Sequence, residues 1–192
     1  VIWHEATNDN HTLYFSTDGG RHWADVEEFS SHGFGRINDV LIDGRGAHIF
    51  VATERGVYRA PLAEKLVWTL HALSSPVSIL LENADGCCLL AIGQSQNDGS
   101  WVVHSISQEN VVRSIYTTSK RPIDATVDLS HPDINRLFLL TSSGEVVVIN
   151  DSGGVLELGS VLGGRSAFSI VAVPDKQTGK TQLLMAHVDG LY

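Results

Sequence analysis

Two pairs of aspartates have the spacing of greatest chemical interest in this chain. Asp39 and Asp43 lie in "INDVLID", and Asp124 and Asp128 lie in "IDATVDL". Glycoside hydrolysis generally uses two carboxylates, one protonated as general acid and the other acting as nucleophile or base. Residues four apart on a strand share a face, so each pair can point the same way, about 13 Å apart by strand rise. A retaining pair sits about 5 Å apart, which neither spacing meets. Asp43 and Asp128 also end their apolar runs, where aspartate commonly accepts bonds from its own backbone. Asp39, Asp43, Asp124 and Asp128 are thus the candidate catalytic residues, and a structural role is the favoured reading of each.

A second group is cationic. Arg36, Arg55, Lys120 and Arg121 fall in "SSHGFGR", "TERG" and "TSKRP", polar segments between apolar runs, with "GQSQNDGS" and "TSSG" as similar segments nearby. Loops mixing cations with Ser, Asn and Gln suit a polar, carbohydrate-like or peptide ligand, and these four are the candidate binding residues. The chain as a whole is acidic, with 22 Asp and Glu against 13 Lys and Arg and a net charge of −9. Phosphate binding draws its affinity from clustered Lys and Arg, so a nucleic-acid partner is disfavoured.

Other familiar chemistries find little support. The nine histidines, His4, His11, His22, His32, His48, His71, His104, His131 and His187, show no zinc-ligand spacing and are expected as solvated or hydrogen-bonded surface groups. Cys87 and Cys88 are adjacent in "CCLLAIG", where strand alternation sends them to opposite faces as core residues. No metal and no cofactor are expected. The glycines of "HGFGR" and "DGRGAH" precede no helix, so they read as loop residues, not a phosphate cradle. No apolar run approaches the ~20 residues of a membrane helix.

The elements that must position these residues recur along the chain. A short aliphatic strand, a small polar turn, a glycine and another strand appear in "IFVATERGVYRA", "LLAIGQSQNDGSWVVHS", "LFLLTSSGEVVVIN" and "LLMAHVDGLY". Their glycines, Gly56, Gly99, Gly144 and Gly190, are 43, 45 and 46 residues apart. A second track of apolar residues, Trp23, Trp68, Val112 and Leu156, keeps spacings of 45, 44 and 44. "INDVLID", "VSILLEN", "IDATVDL" and "FSIVAVP" add one more strand to each repeat, giving four per unit. Helical patterning is absent; "PLAEKL" is too short to matter.

Four strands at a period of 40 to 50 residues predict an all-β fold, a β-propeller of four-stranded antiparallel blades. Approximate blades are 1–30 (partial), 37–73, 77–117, 123–162 and 168–192 (partial), so four to five are visible. "VIWHEAT" aligns with the second strand of a repeat, and "GLY" at the other end opens a third. The expectation is a window from a larger propeller, completed by missing blades or by another chain. The absence of an initiator Met and of a leader at Val1 suggests a mature or trimmed chain.

"STDGGRHW" carries the family signal. Ser16, Asp18, Gly20 and Trp23 fill the four fixed positions of Ser-x-Asp-x-Gly-x-x-Trp, the Asp-box or BNR repeat. "INDSGGVLEL" is similar to a decayed copy that keeps Asp151 and Gly153 and carries Ile149 for Ser and Leu156 for Trp. The chain therefore resembles the Asp-box propellers, which include sialidases, xyloglucan-hydrolysing glycosidases, photosystem II assembly factors and sortilin-type receptors. The resemblance implies a propeller in which the box forms an outer turn between third and fourth strands, away from the central face where ligands bind. It marks the fold, with Trp23 expected to cover its turn. The sialidase Phe/Tyr-Arg-Ile-Pro signature is not matched; "FGRIN" has an inserted glycine and no proline.

The expectation for function is a non-catalytic binding or assembly scaffold for a protein or glycan ligand. The alternative is a fragment of a sialidase-like or xyloglucanase-like glycoside hydrolase. A secreted, periplasmic or lumenal location is favoured, and reduced cysteines do not exclude it.

Overall fold

The computed structural model describes residues 2–7, 10–16, 18–26, 33–63, 66–84, 86, 88–130, 136–150, 153–160, 167–175, 177–187 and 190–191, with backbone alone for 2–11 and 190–191. Asp151, Cys87, His32 and His131 lie outside the described residues, as do the side chains of His4 and His11. Eighteen strands and no helix occur among the described residues.

Each strand pairs with its sequence neighbour in five antiparallel sheets. The first holds β1 (Ile2–Thr7), β2 (Asn10–Phe15) and β3 (Ala24–Asp25); the second holds β4 (Ile37–Ile42), β5 (His48–Thr53), β6 (Gly56–Pro61) and β7 (Thr69–Ala72). The third holds β8 (Val77–Glu82), β9 (Cys88–Gln94), β10 (Trp101–Ser107) and β11 (Val112–Thr118). The fourth holds β12 (Pro122–Val127), β13 (Arg136–Thr141), β14 (Glu145–Asn150) and β15 (Val155–Ser160); the fifth holds β16 (Ala167–Pro174), β17 (Thr181–His187) and β18 (Gly190–Leu191). The fold is all-β, built of antiparallel propeller blades. The chain divides into two compact units, Val1–Leu80 and Leu81–Tyr192.

Burial along the strands explains their composition. The second strands β5 and β13 are buried at five of six positions, which requires continuous apolar runs because both faces are covered. The outermost strands β11 and β15 are largely exposed. In the first unit Leu13, Ile37, Ile49, Val51, Ala60 and Leu66 form one core, with Val26, Leu62 and Trp68 packed against it. In the second unit Phe138, Leu140, Val146, Ala167, Ile170 and Met185 join the fourth sheet to the fifth.

The turn after each innermost strand repeats one solution. Asp43, Asn83, Asp128 and Asp175 each donate their backbone N–H to the carbonyl of the residue that opens or precedes the next strand, His48, Cys88, Arg136 and Lys180, at 2.8–3.1 Å. The turn into β6 depends on Gly56, whose φ is +130° and where a Cβ would lie 1.8 Å from the Leu73 carbonyl oxygen. No L side chain fits there.

Two histidines depart from the expected surface positions, whereas His22 is exposed and bonded to Asp18. His71 and His187 are only 8% and 7% exposed. His71 packs edge-on with Phe50, with ring centroids 5.2 Å apart, and its buried Nδ1 has no hydrogen-bond partner among the described residues. The cause is the strand pattern, because His71 lies on β7 where two consecutive residues turn inward.

Candidate functional site

Ser16, Asp18, Gly20 and Trp23 lie in the connection between β2 and β3, tied to one another by short-range hydrogen bonds. Ser16 Oγ donates to Asp18 Oδ1 at 2.9 Å and accepts the Gly20 N–H at 2.8 Å. Asp18 Oδ1 also accepts the N–H groups of Arg21 and His22 at 3.0 and 2.9 Å, and Oδ2 meets the His22 ring. The His22 backbone and ring bonds, with those from Ser16 and Arg21, hold the Asp18 carboxyl at about 2, far below a pKa suited to proton donation. Gly20 takes φ +89°, and Trp23 closes the turn by donating Nε1–H to the Gly20 carbonyl at 3.0 Å.

Trp23 is nevertheless 41% exposed, so its ring caps the turn from outside and does not enter a core. The related segment places Gly153 at φ +80° and Ile149 in the core, at the positions of Gly20 and Ser16. Leu156, in the Trp position, is 61% exposed on β15. Here the Asn150 side chain takes over the acceptor role, with Oδ1 receiving the Gly154 N–H at 2.6 Å.

The four aspartates serve two structural tasks and are not brought together as acid and base. Asp39 Oδ2 accepts the Leu80 N–H at 2.8 Å, and the neighbouring Asn38 Nδ2 donates to the Val77 carbonyl at 2.7 Å, so β4 is fastened to β8. Asp124 Oδ2 accepts the Ile170 N–H at 2.8 Å and the Ser169 hydroxyl at 2.6 Å, fastening β12 to β16. The Thr126 hydroxyl adds a bond from the Ala172 N–H at 3.2 Å. A bulge at the start of β4 and of β12 turns these carboxylates toward the next sheet.

Asp43 and Asp128 turn into their own loops. Asp43 Oδ1 accepts the Ala47 and His48 N–H groups, and Oδ2 lies 3.2 Å from His48 Nδ1. Partial burial pushes its carboxyl up, but the bonds from His48 and Ala47 outweigh that and leave it below the usual carboxylate range. Asp128 is 1% exposed and receives Ser130, Thr181 and the Arg136 guanidinium. Burial alone would raise it; the hydrogen bonds from Ser130 and Thr181, with the Arg136 charge, bring it to about 2. A general acid needs the opposite shift.

The cationic residues stand at the other end of the strands, where loops enter the innermost strand and join the second to the third. In the first unit the Arg36 carbonyl accepts the Glu54 N–H at 3.1 Å, which sets Arg36 beside Arg55. Arg55 lies over Gly35 and donates to the Gly33 carbonyl, and Phe34 packs on Tyr58 with ring centroids 4.4 Å apart. In the second unit the Arg121 carbonyl accepts the Ser142 N–H at 2.8 Å in the same way. Lys120 pairs with Glu145 at 2.6 Å, and that bond raises the lysine and lowers the glutamate. The exposed Arg36 and Arg121 guanidiniums carry no hydrogen bond or ion pair among the described residues, so both forks remain open to a ligand.

Ser169, Thr126, Asn38, Ser130 and Thr181 do positioning work that residue type alone did not reveal. Asp124 and Ser169 are separated by one repeat length, 45 residues, and that periodicity was the available signal. Among the described residues no group of three or more His, Cys, Asp or Glu is placed to hold a metal ion. Among the same residues no helix is long and apolar enough to cross a membrane.

No protein-family model matches the chain, and no curated protein matches it. Solved structures do. The extracellular domain of a proposed one-component system from Bacteroides thetaiotaomicron superposes with a TM-score of 0.66 at 13% identity, over 98% of this chain and 26% of that one. An auxiliary nutrient binding protein from the same organism gives 0.59 at 13% identity, over 81% and 36%. Virginiamycin B lyase from Staphylococcus aureus gives 0.64 at 12% identity, over 94% and 61%. The chain thus spans between about a quarter and three-fifths of the length of these proteins, and what it shares with them is the β-propeller fold.

Proposed function

We propose that the chain is part of an Asp-box-type propeller that binds a protein or glycan ligand through the loops at the cationic end of its blades, without cleaving it. The observation that carries this reading is the contrast between the two sets of candidate residues. Asp39, Asp43, Asp124 and Asp128 are all consumed by backbone and neighbouring-sheet bonds, whereas Arg36 and Arg121 hold open guanidinium forks at equivalent places in two blades. Open forks beside Ser, Asn and Gln match carboxylate-bearing or polyhydroxylated ligands.

The extracellular domain of a proposed one-component system and an auxiliary nutrient binding protein among the similar folds accord with recognition, and with a location outside the cytoplasm. The lyase in the same group is a reminder that a fold does not choose a function, so the residues must. The test is an array of acidic and neutral oligosaccharides and of peptides, probed with the intact chain and with Arg36→Ala and Arg121→Ala. Binding that falls about tenfold or more in the variants, at unchanged melting temperature, supports the reading. Binding that survives both substitutions overturns it.

A further inference from the structure

Of the four candidate binding cations, two are already engaged by the protein itself. Arg55 donates from Nη1 to the Gly33 carbonyl, and Lys120 pairs with Glu145 at 2.6 Å. Each engaged cation stands beside one whose guanidinium is open, Arg36 in the first unit and Arg121 in the second.

The turn that carries Arg55 is fixed from both sides. The Arg55 N–H reaches Thr53 Oγ1 at 3.0 Å, the fully buried Thr53 hydroxyl donates to the Gly56 carbonyl at 3.1 Å, and Gly56 leaves no room for a Cβ. From that turn the Arg55 stem crosses the main chain of Gly33–Gly35. A Cβ on Gly35 would lie 3.4 and 3.7 Å from its Cγ and Cδ, and a Cβ on Gly33 would lie 3.6 Å from Nη1. Both glycines are left-handed, at φ +65° and +79°, and glycine loses more conformational freedom on ordering than any other residue. Such a segment must be held from outside. Arg55 laid across it, Phe34 packed on Tyr58 at 4.4 Å and the Glu54 N–H on the Arg36 carbonyl do the holding.

The fourth sheet reaches the same end with other residues. Its turn reads Thr-Ser-Ser-Gly where the second sheet reads Thr-Glu-Arg-Gly, so Ser143 takes the Arg55 position. Ser143 Oγ donates to Glu145 Oε2 at 3.0 Å, and the same oxygen holds Lys120. The Ser142 N–H donates to the Arg121 carbonyl as the Glu54 N–H does to that of Arg36. In each sheet one bond fixes the arginine's main chain, a second tie holds the residues before it, and its side chain is left open.

We infer that Arg55 and the Lys120–Glu145 pair are straps that order the loops presenting Arg36 and Arg121 before a ligand arrives. Arg55 and Lys120 are then positioning residues, not ligand contacts. The inference rests on the ligand face proposed above and gives these two cations a different task within it. Affinity scales with the fraction of molecules whose loop is already in place, so a loop in place one-tenth of the time binds about tenfold more weakly.

The test uses Arg55→Met, which keeps a stem and removes the donors, and Arg55→Lys, which keeps a charged donor. Backbone amide relaxation by NMR on the ligand-free chain is expected to give Gly33–Arg36 order parameters of about 0.85. These should fall below about 0.6 in Arg55→Met and recover in Arg55→Lys, at an unchanged melting temperature. Binding is read by anisotropy with two carboxylate-bearing probes, fluorescein-labelled decaglutamate and octagalacturonate. Arg55→Met should weaken binding about tenfold, with most of the loss recovered in Arg55→Lys, and Glu145→Ala should do the same through Lys120 and Arg121. Gly33–Arg36 that stay ordered in Arg55→Met overturn the strap, and a loss of affinity without that loss of order makes Arg55 a ligand contact. Order lost at unchanged affinity overturns the positioning role. If the unmodified chain binds neither probe, the ligand face fails and takes the inference with it, and the ligand-free relaxation separates that result from failure of the strap alone.

Discussion

Asp128→Asn is the substitution whose cost the structure defines best. The carboxylate is 1% exposed and gathers the Ser130 N–H and hydroxyl, the Thr181 hydroxyl at 2.7 Å and the Arg136 guanidinium. The amide keeps an acceptor for Ser130 but turns an N–H₂ toward Arg136, leaving a positive charge without its counter-charge beside a second donor. Losing one partner of a fully buried pair costs about 3–5 kcal/mol, but Arg136 is about one-third exposed and keeps some hydration. The expected loss at pH 7 is about 2–4 kcal/mol, read as the shift of a urea unfolding midpoint at constant slope.

The same carboxylate predicts how that loss depends on pH. Its folded pKa of about 2 lies below the ordinary value of 3.8, so the stability it contributes is complete above about pH 4 and disappears as pH falls through about 2. The difference between the two proteins should therefore shrink by about 2 kcal/mol between pH 5 and pH 2, because the unmodified carboxyl becomes neutral as well. A difference below about 0.5 kcal/mol at pH 7, or one that stays constant down to pH 2, would refute the assignment of a buried, charge-assisted anchor.

Three further outcomes follow from particular contacts. Burial, with the Arg59 and His48 charges, lowers His71 to about 4 against 6.5 when unfolded; the unfolded chain then binds more protons in that interval, so stability should fall by up to about 3 kcal/mol as pH drops from 6.5 to 4. His71→Phe should flatten that slope in a series of melts, and an unchanged slope would contradict it. Trp23→Ala should cost only about 1–2 kcal/mol by thermal unfolding, because the exposed ring contributes one hydrogen bond and a stack on Gly20; a loss above about 4 would mean that the ring is a core residue. Gly56→Ala forces a Cβ onto the Leu73 carbonyl at a left-handed φ and should cost about 3 kcal/mol or more, so a variant that melts like the parent would show that the β5–β6 turn is wrongly placed.

The sheets were legible because their signal is periodic. Glycines at Gly56, Gly99 and Gly144 recur where a third strand begins or its turn precedes it, and Trp23, Trp68, Val112 and Leu156 recur at the start of fourth strands. The bonds among Ser16, Asp18, Gly20, His22 and Trp23 are local too, joining residues at most four apart, which is the range that turn chemistry in a sequence can show. The 41% exposure of Trp23 was not legible, because a large aromatic ring beside a turn reads the same in sequence whether or not another layer covers it. Nor were the partners of Asp39 and Asp124, which lie 41 and 45 or 46 residues away, beyond any local pattern. Thr181 likewise reads as an ordinary strand residue until Asp128, 53 positions earlier, is brought against it.

The most direct test of the central claim, recognition without cleavage, is the mass of whichever array ligand the protein captures, measured after prolonged incubation with the chain at neutral pH. The account predicts an unchanged mass, with capture lost in Arg36→Ala or Arg121→Ala. A shortened ligand, and restoration of its full length by Asp39→Asn or Asp124→Asn in a variant that still folds, would contradict it and make these carboxylates the working groups of a hydrolase.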